Sequence, residues 1–186
     1  MLTAEEIIKI LKLQKHPVEG GYFLETYKSG HTIAGQHLPP GFGGDRPLAT
    51  AIYYMLIPGT FSEIHRLEGD EIFHFYSGSP VEMLQLFPDG SGEKIIIGND
   101  IEQGEIPQVV VPAGVWQGTR LLPGGSYALM GTTMAPGFDY ADYQGGNRQE
   151  LIRQFPQFGE LITLLTREKL PHSETQDFAS LRFSNI

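Results

Sequence analysis

The chain has no cysteine and a single tryptophan. Without a thiol, disulfides, cysteine-ligated zinc and thiol nucleophiles are excluded, and the redox compartment leaves no mark on the sequence. Positive charge is also short: 13 Lys and Arg stand against 22 Asp and Glu, for a net charge of −9. A surface of that sign repels phosphate backbones and anionic lipid, so neither nucleic acid nor a membrane is an expected partner. The longest clean apolar run, residues 51–57, is far too short to cross a bilayer. The first residues lack the basic-then-apolar order of a secretory leader. By default, the expected compartment is the cytoplasm.

Glycine (23) and proline (13) are plentiful, which suits many short strands joined by turns. A chain of 186 residues is expected to form one domain over 1–186. Thr3-Ala4-Glu5-Glu6 reads as a capping box, and Ile7, Ile8, Leu11 and Leu13 make an apolar stripe. Together they predict a helix over 4–13. A strand at 22–28 leads into residues 29–47, which hold five Gly and three Pro and are expected to be a long loop without structure of its own. From Leu48 strand follows strand: 48–57, 60–66, 71–76, 81–87, 93–97, 108–111, 115–122 and 126–135. No helical period intervenes, so an all-β antiparallel barrel or sandwich over 20–135 is expected rather than parallel βαβ wiring. Helical spacing returns at 149–155 and 158–168, predicting a C-terminal helical appendage within 147–168. Residues 171–186 are polar and mixed, and are expected to be loosely held.

Residues 59–78, GTFSEIHRLEGDEIFHFYSG, concentrate the chemistry. They read as two strands joined by a tight turn, and alternate residues of a strand share a face. If His65 turns inward, so should Glu63 and Leu67. On the next strand Glu71, Phe73 and Phe75 share the apolar, inner face. His65 and Glu71 would then lie close across a hairpin in an oily interior, where a carboxylate is costly unless paired or bound. By the same parity Trp116 and His74 face outward, and Arg66 pairs with Asp70 near the turn. Glu19, followed by two glycines, reads as a turn feature, although glycine also lets backbone approach a ligand closely.

The pattern Gly59-x5-His65-x-Leu67-x3-Glu71-x6-Gly78 resembles the first motif of the cupin superfamily, and Pro112-x-Gly114-x2-Gln117 resembles its second. His16-x2-Glu19-Gly20-Gly21-Tyr22, His65-Arg66 with Asp70-Glu71, and Ala135-Pro136-Gly137-Phe138 narrow the likeness to an uncharacterised single-domain branch. The resemblance implies an all-β double-stranded β-helix, the cupin jelly-roll barrel, usually a homodimer with a small-molecule ligand in the barrel. Its usual metal set is three His and one Glu. This chain keeps His65 and Glu71 but has Leu67 and Gln117 at the other two positions. A divalent metal on His65, Glu71 and Gln117 is therefore the lesser expectation, and no cofactor is the first.

Metal-free sugar-nucleotide epimerases of that superfamily use a His base held by a carboxylate, with a Tyr as acid. In that light His65 and Glu71 are the catalytic candidates. Gln117, Phe73, Phe75, Tyr53 and Thr119 are the candidate ligand-binding residues, and Tyr127 and Tyr53 are acid candidates that no motif singles out. Three functions stay open: a metal-independent carbohydrate or sugar-nucleotide epimerase or isomerase, a metal-dependent oxygenase or isomerase, and a binder without turnover.

Overall fold

The structure is a computed structural model and describes residues 2–168. The segment 171–186 lies outside the described residues. Helix α1 (Ala4–Ile10) opens with the expected capping box: Thr3 Oγ1 accepts from the Glu6 N–H, and Glu6 Oε2 accepts from the Thr3 N–H. It is shorter than predicted, because Leu11 caps it and Lys12 takes a positive φ of 56°. The chain instead turns early into strand β1 (Gln14–Lys15), which pairs with β2 (Tyr22–Lys28).

The glycine-rich stretch 29–47 has structure of its own, against expectation. Short strands β3 (Thr32–Ile33) and β4 (Arg46–Pro47) pair with each other. Arg46 is buried and holds both oxygens of Asp142, Nε donating to Oδ2 at 2.8 Å and Nη2 to Oδ1. That fork fastens the segment to the far end of the chain.

The strands that follow match the predicted ones to within two or three residues at each end. They are β5 (Thr50–Leu56), β6 (Phe61–Arg66), β7 (Glu71–Gly78), β8 (Val81–Leu86), β9 (Gly92–Ile97), β10 (Gln108–Val111), β11 (Trp116–Leu121) and β12 (Ala128–Met134). A two-residue strand β13 (Gln144–Gly145) precedes helices α2 (Arg148–Gln154) and α3 (Gly159–Leu164).

Two antiparallel sheets result, in the orders β1-β2-β5-β12-β7-β10 and β13-β6-β11-β8-β9. Their inner faces enclose a core that includes Leu56, Phe73, Phe75, Val81, Met83, Ile97, Val109, Val111 and Met130. Each outer face is also covered. Helix α1 packs Ile7 with Leu13 against Met55 on one sheet. On the other, α2 and α3 bring Leu151, Phe155, Leu161 and Ile162 onto Ile64, Leu84 and Leu86. Trp116 faces this outer layer as its parity predicts, with Arg66 over its ring. Arg66 also donates to Gln144 rather than pairing with Asp70, whose carboxylate accepts from the Ala113 N–H. His74 likewise faces outward, between Gln108 and Thr133.

One register break matters for the site. Between β6 and β11, Gln117 faces His65 but Thr119 faces Ser62, so β6 carries one extra residue there. Such a bulge shifts side-chain parity. Ser62, not Glu63, therefore shares the inner face with His65, which corrects the simple alternation read from the sequence. The Glu63 N–H, freed from the ladder, donates to the Glu19 carbonyl at 2.9 Å, and the Glu63 carboxylate pairs with Arg167.

Candidate functional site

His65 is completely buried on the inner face of β6. Its Nδ1 lies 2.8 Å from the Glu63 carbonyl, an acceptor only, so Nδ1 carries the proton and Nε2 carries the lone pair. Gln117 on β11 supplies what that lone pair needs: its amide nitrogen is 2.9 Å from His65 Nε2. The same nitrogen donates to Glu71 Oε2 at 3.2 Å. One NH2 group thus bridges the imidazole and the carboxylate, and among the described residues the buried Gln117 Oε1 has no hydrogen-bond partner.

Glu71 begins β7 and sits in the interior. Burial raises its carboxyl from the ordinary 4.5 to about 7, and the negative charge of Glu19 adds to the rise. His65 and hydrogen bonds from Thr132 and Gln117 pull it back down. A carboxyl that changes charge near neutrality can both give and take a proton at physiological pH.

The N-terminal segment completes the cluster. Glu19 Oε1 is 3.8 Å from His65 Nε2 and 3.7 Å from His16 Nε2. The turn 16–21 is held in place by Tyr54, whose hydroxyl donates to the Gly20 carbonyl at 2.9 Å, and by the β6 bulge. Gly20 (φ 97°) and Gly21 (φ 69°) are required here: a Cβ on Gly20 would come within 2.6 Å of the Phe61 carbonyl, and one on Gly21 within 2.8 Å of the Met55 carbonyl. Over the opposite face of His65 lies Tyr143, stacked at 4.9 Å and 25°. Arg46 sets that roof by gripping the neighbouring Asp142, and β13 pairs with β6 directly after it. Burial pushes the Tyr143 phenol far above its ordinary range.

His65, Glu71 and Gln117 are therefore brought together; Thr119 lies two residues further along β11, its Oγ1 buried and without a partner among the described residues. Phe73 and Phe75 follow Glu71 along the same face into the apolar core. Tyr53 is not part of the group. It lies in the outer layer under α1, edge-on to Tyr76, and its neighbour Tyr54 turns inward. Tyr127, the other acid candidate, is also in that outer layer. Sequence reasoning passed over the catalytic potential of His16 and Glu19, and over Tyr54, Thr132 and Tyr143. The signal for the first two was the His16-x2-Glu19-Gly20-Gly21 run.

The motif order, the two sheets and this interior cluster agree with a family model, described as "Cupin superfamily (DUF985)", that matches residues 5–145. The chain belongs to the cupin superfamily. An "Uncharacterized protein YML079W" from Saccharomyces cerevisiae is 32% identical, over 76% of this chain and 74% of its own length. A hypothetical protein from Leishmania major superposes with a TM-score of 0.80 at 30% identity, covering 90% of this cupin and all of the other chain. A protein from Shewanella oneidensis superposes with a TM-score of 0.79, also at 30% identity, covering 91% and all of that chain.

A metal is the usual tenant of a cupin barrel. Among the described residues no group of three or more His, Cys, Asp or Glu is arranged to hold a metal ion. Leu67 offers no donor where a second imidazole would stand. Gln117 presents N–H bonds, not its oxygen, to both His65 and Glu71. The set does not fit a resident metal. Among the described residues no helix is long and apolar enough to cross a membrane.

Proposed function

We propose that this cupin is a metal-independent acid–base protein acting on a small, uncharged, hydroxylated carbonyl compound, as an epimerase or isomerase. The observation that carries the reading is the single Gln117 amide shared between the Nε2 lone pair of His65 and the carboxylate of Glu71. In this reading His65 Nε2 is the base and Glu71, poised near pH 7, returns a proton. Gln117 holds the place of a ligand oxygen until one displaces it. Tyr143 offers a flat wall, and Thr119 offers a hydroxyl for a polar substituent.

The charge balance favours a neutral sugar over a sugar nucleotide. Glu19 and Glu71 face the cluster, and Arg167, at its rim, is already engaged by the Glu63 carboxylate and the Val18 carbonyl. A phosphate would find carboxylates and no free cation among these residues.

Incubating the protein with unphosphorylated aldoses and ketoses in D2O tests the reading. Solvent deuterium should enter the position next to the carbonyl, and His65→Ala and Glu71→Gln should each suppress it by roughly a hundredfold or more. No exchange from the wild-type protein with any carbonyl sugar, or exchange indifferent to both variants, would remove the proposal.

A further inference from the structure

We infer that His16 is a second catalytic imidazole, the neutral N–H donor that holds the substrate's carbonyl oxygen, and that with Glu19 and His65 it selects an α-hydroxy carbonyl compound. This rests on the reading of His65 as the base. His16 Nδ1 accepts two backbone N–H groups, from Val18 at 3.3 Å and Glu19 at 2.9 Å. Only a lone pair can do so, which puts the ring proton on Nε2. Among the described residues that Nε2–H donates no hydrogen bond. Its near neighbour is Glu19 Oε1 at 3.7 Å, and His65 Nε2, a lone pair by the argument above, lies 3.8 Å from the same oxygen. The Glu19 carboxylate itself accepts no hydrogen bond among the described residues.

A donor, an anionic acceptor and a base thus meet around Glu19 Oε1, none satisfied by another of the three; the lone pair of the base meanwhile accepts from the Gln117 amide at 2.9 Å, which the substrate displaces. An α-hydroxy carbonyl compound matches them one for one. The carbonyl oxygen accepts from His16 Nε2–H, the hydroxyl donates to Glu19, and the carbon bearing that hydroxyl turns its C–H to His65 Nε2. When that C–H bond breaks, its proton passes to His65 Nε2 and its electron pair forms a carbon–carbon double bond. The carbonyl π pair moves onto oxygen, where His16 Nε2–H stabilises it. A proton given by Glu71 to the same carbon from the other face yields the epimer. For the isomer the His65 proton goes to the former carbonyl carbon, while the hydroxyl proton passes to Glu19 and on to the former carbonyl oxygen, so that the hydroxyl carbon becomes the new carbonyl. No oxidant, reductant or other co-reactant is needed.

The surroundings keep His16 in the required state. It is packed against Phe23, Tyr54 and Tyr140, and burial lowers its pKa more than Glu19 raises it, with His65 and Arg167 lowering it further. A neutral imidazole with Nδ1 occupied as an acceptor donates through Nε2–H alone.

The test combines two readouts. Long-range 15N–1H spectra of the wild-type protein should show His16 as the Nε2–H tautomer, neutral at pH 7 and titrating below the ordinary imidazole range; an Nδ1–H tautomer, or an imidazolium at pH 7, overturns the inference without reference to activity. In the D2O assay, His16→Phe keeps the flat ring but removes the donor, and is expected to cut exchange roughly 10²–10³-fold, chiefly in kcat, with His16→Gln recovering part of the loss. Both variants are first checked for an unchanged thermal transition. Exchange by His16→Phe at the wild-type rate overturns the role of His16 and leaves that of His65 standing. Absence of exchange in the wild-type protein, with every carbonyl sugar, overturns both.

Discussion

Along β7 the inward residues run Glu71, Phe73, Phe75, and along β11 they run Gln117, Thr119, Leu121. The same strands, read with the same parity, are polar at one end of the barrel and apolar at the other. At the apolar end Val81, Met83, Ile97 and Met130 are completely buried among hydrocarbon neighbours. That packing is what a β-sandwich needs to be stable. At the polar end an imidazole, a carboxyl at about 7 and two unpartnered oxygens, Gln117 Oε1 and Thr119 Oγ1, are buried together. Each of these costs stability that an apolar side chain would not. A fold with a sound core nearby has no structural need for them, which is the ground for placing the proposed chemistry at this end.

The contrast can be broken from either side, and the largest effect belongs to the apolar end. Met130→Ala should lower unfolding stability by roughly 2–5 kcal/mol in denaturant titrations through lost contacts and a cavity, with the ionisation of Glu71 left near 7. A variant that shifted that ionisation would show that the two ends are not separate.

Glu71→Gln comes next and acts through pH. The folded-state pKa of Glu71 stands above its unfolded value, so its contribution is fully present below about 4.5 and is lost as pH rises through about 7. The span amounts to about 3 kcal/mol. The variant should flatten this part of the stability–pH curve and be more stable than wild type at pH 8. His16 works in the opposite direction. Its pKa is lowered, so its contribution is present above its ordinary 6.5 and lost as pH falls through the depressed value. Stability that declined toward acid but not toward alkali would contradict the Glu71 assignment.

Gln117→Leu should cost roughly 1–3 kcal/mol, because it strips the donor from both His65 Nε2 and Glu71 Oε2. The Glu71 pKa should climb further, since a hydrogen bond to its ionised form is gone. The smallest expected change is Thr119→Val, a near-isostere that removes an orphaned hydroxyl and should stabilise by about 1 kcal/mol in thermal or denaturant melts.

Much of this division was legible in the sequence. Alternation alone placed Glu71, Phe73 and Phe75 on one inner face, and the turn residues placed the strand ends closely. Three things escaped it. Glu63 was expected beside His65, but a bulge is set by pairing across the sheet, and nothing in residues 61–66 announces it. Tyr53 was preferred to Tyr54 in a run, 51–57, that is apolar on both faces because α1 covers its outer side. His16 and Glu19 lie more than 40 residues from His65 along the chain, and only the docking of their turn on β6 brings them into the site. Local pattern carries strand parity well, and long-range pairing poorly.

The most direct measurement is a 13C titration of the Glu71 carboxyl in the intact protein, assigned by comparison with Glu71→Gln. The account predicts a midpoint near 7 that rises further in Gln117→Leu. A midpoint near 4.5, unmoved by loss of Gln117, would mean that the carboxyl is an ordinary solvated acid and that the polar end holds no acid–base pair.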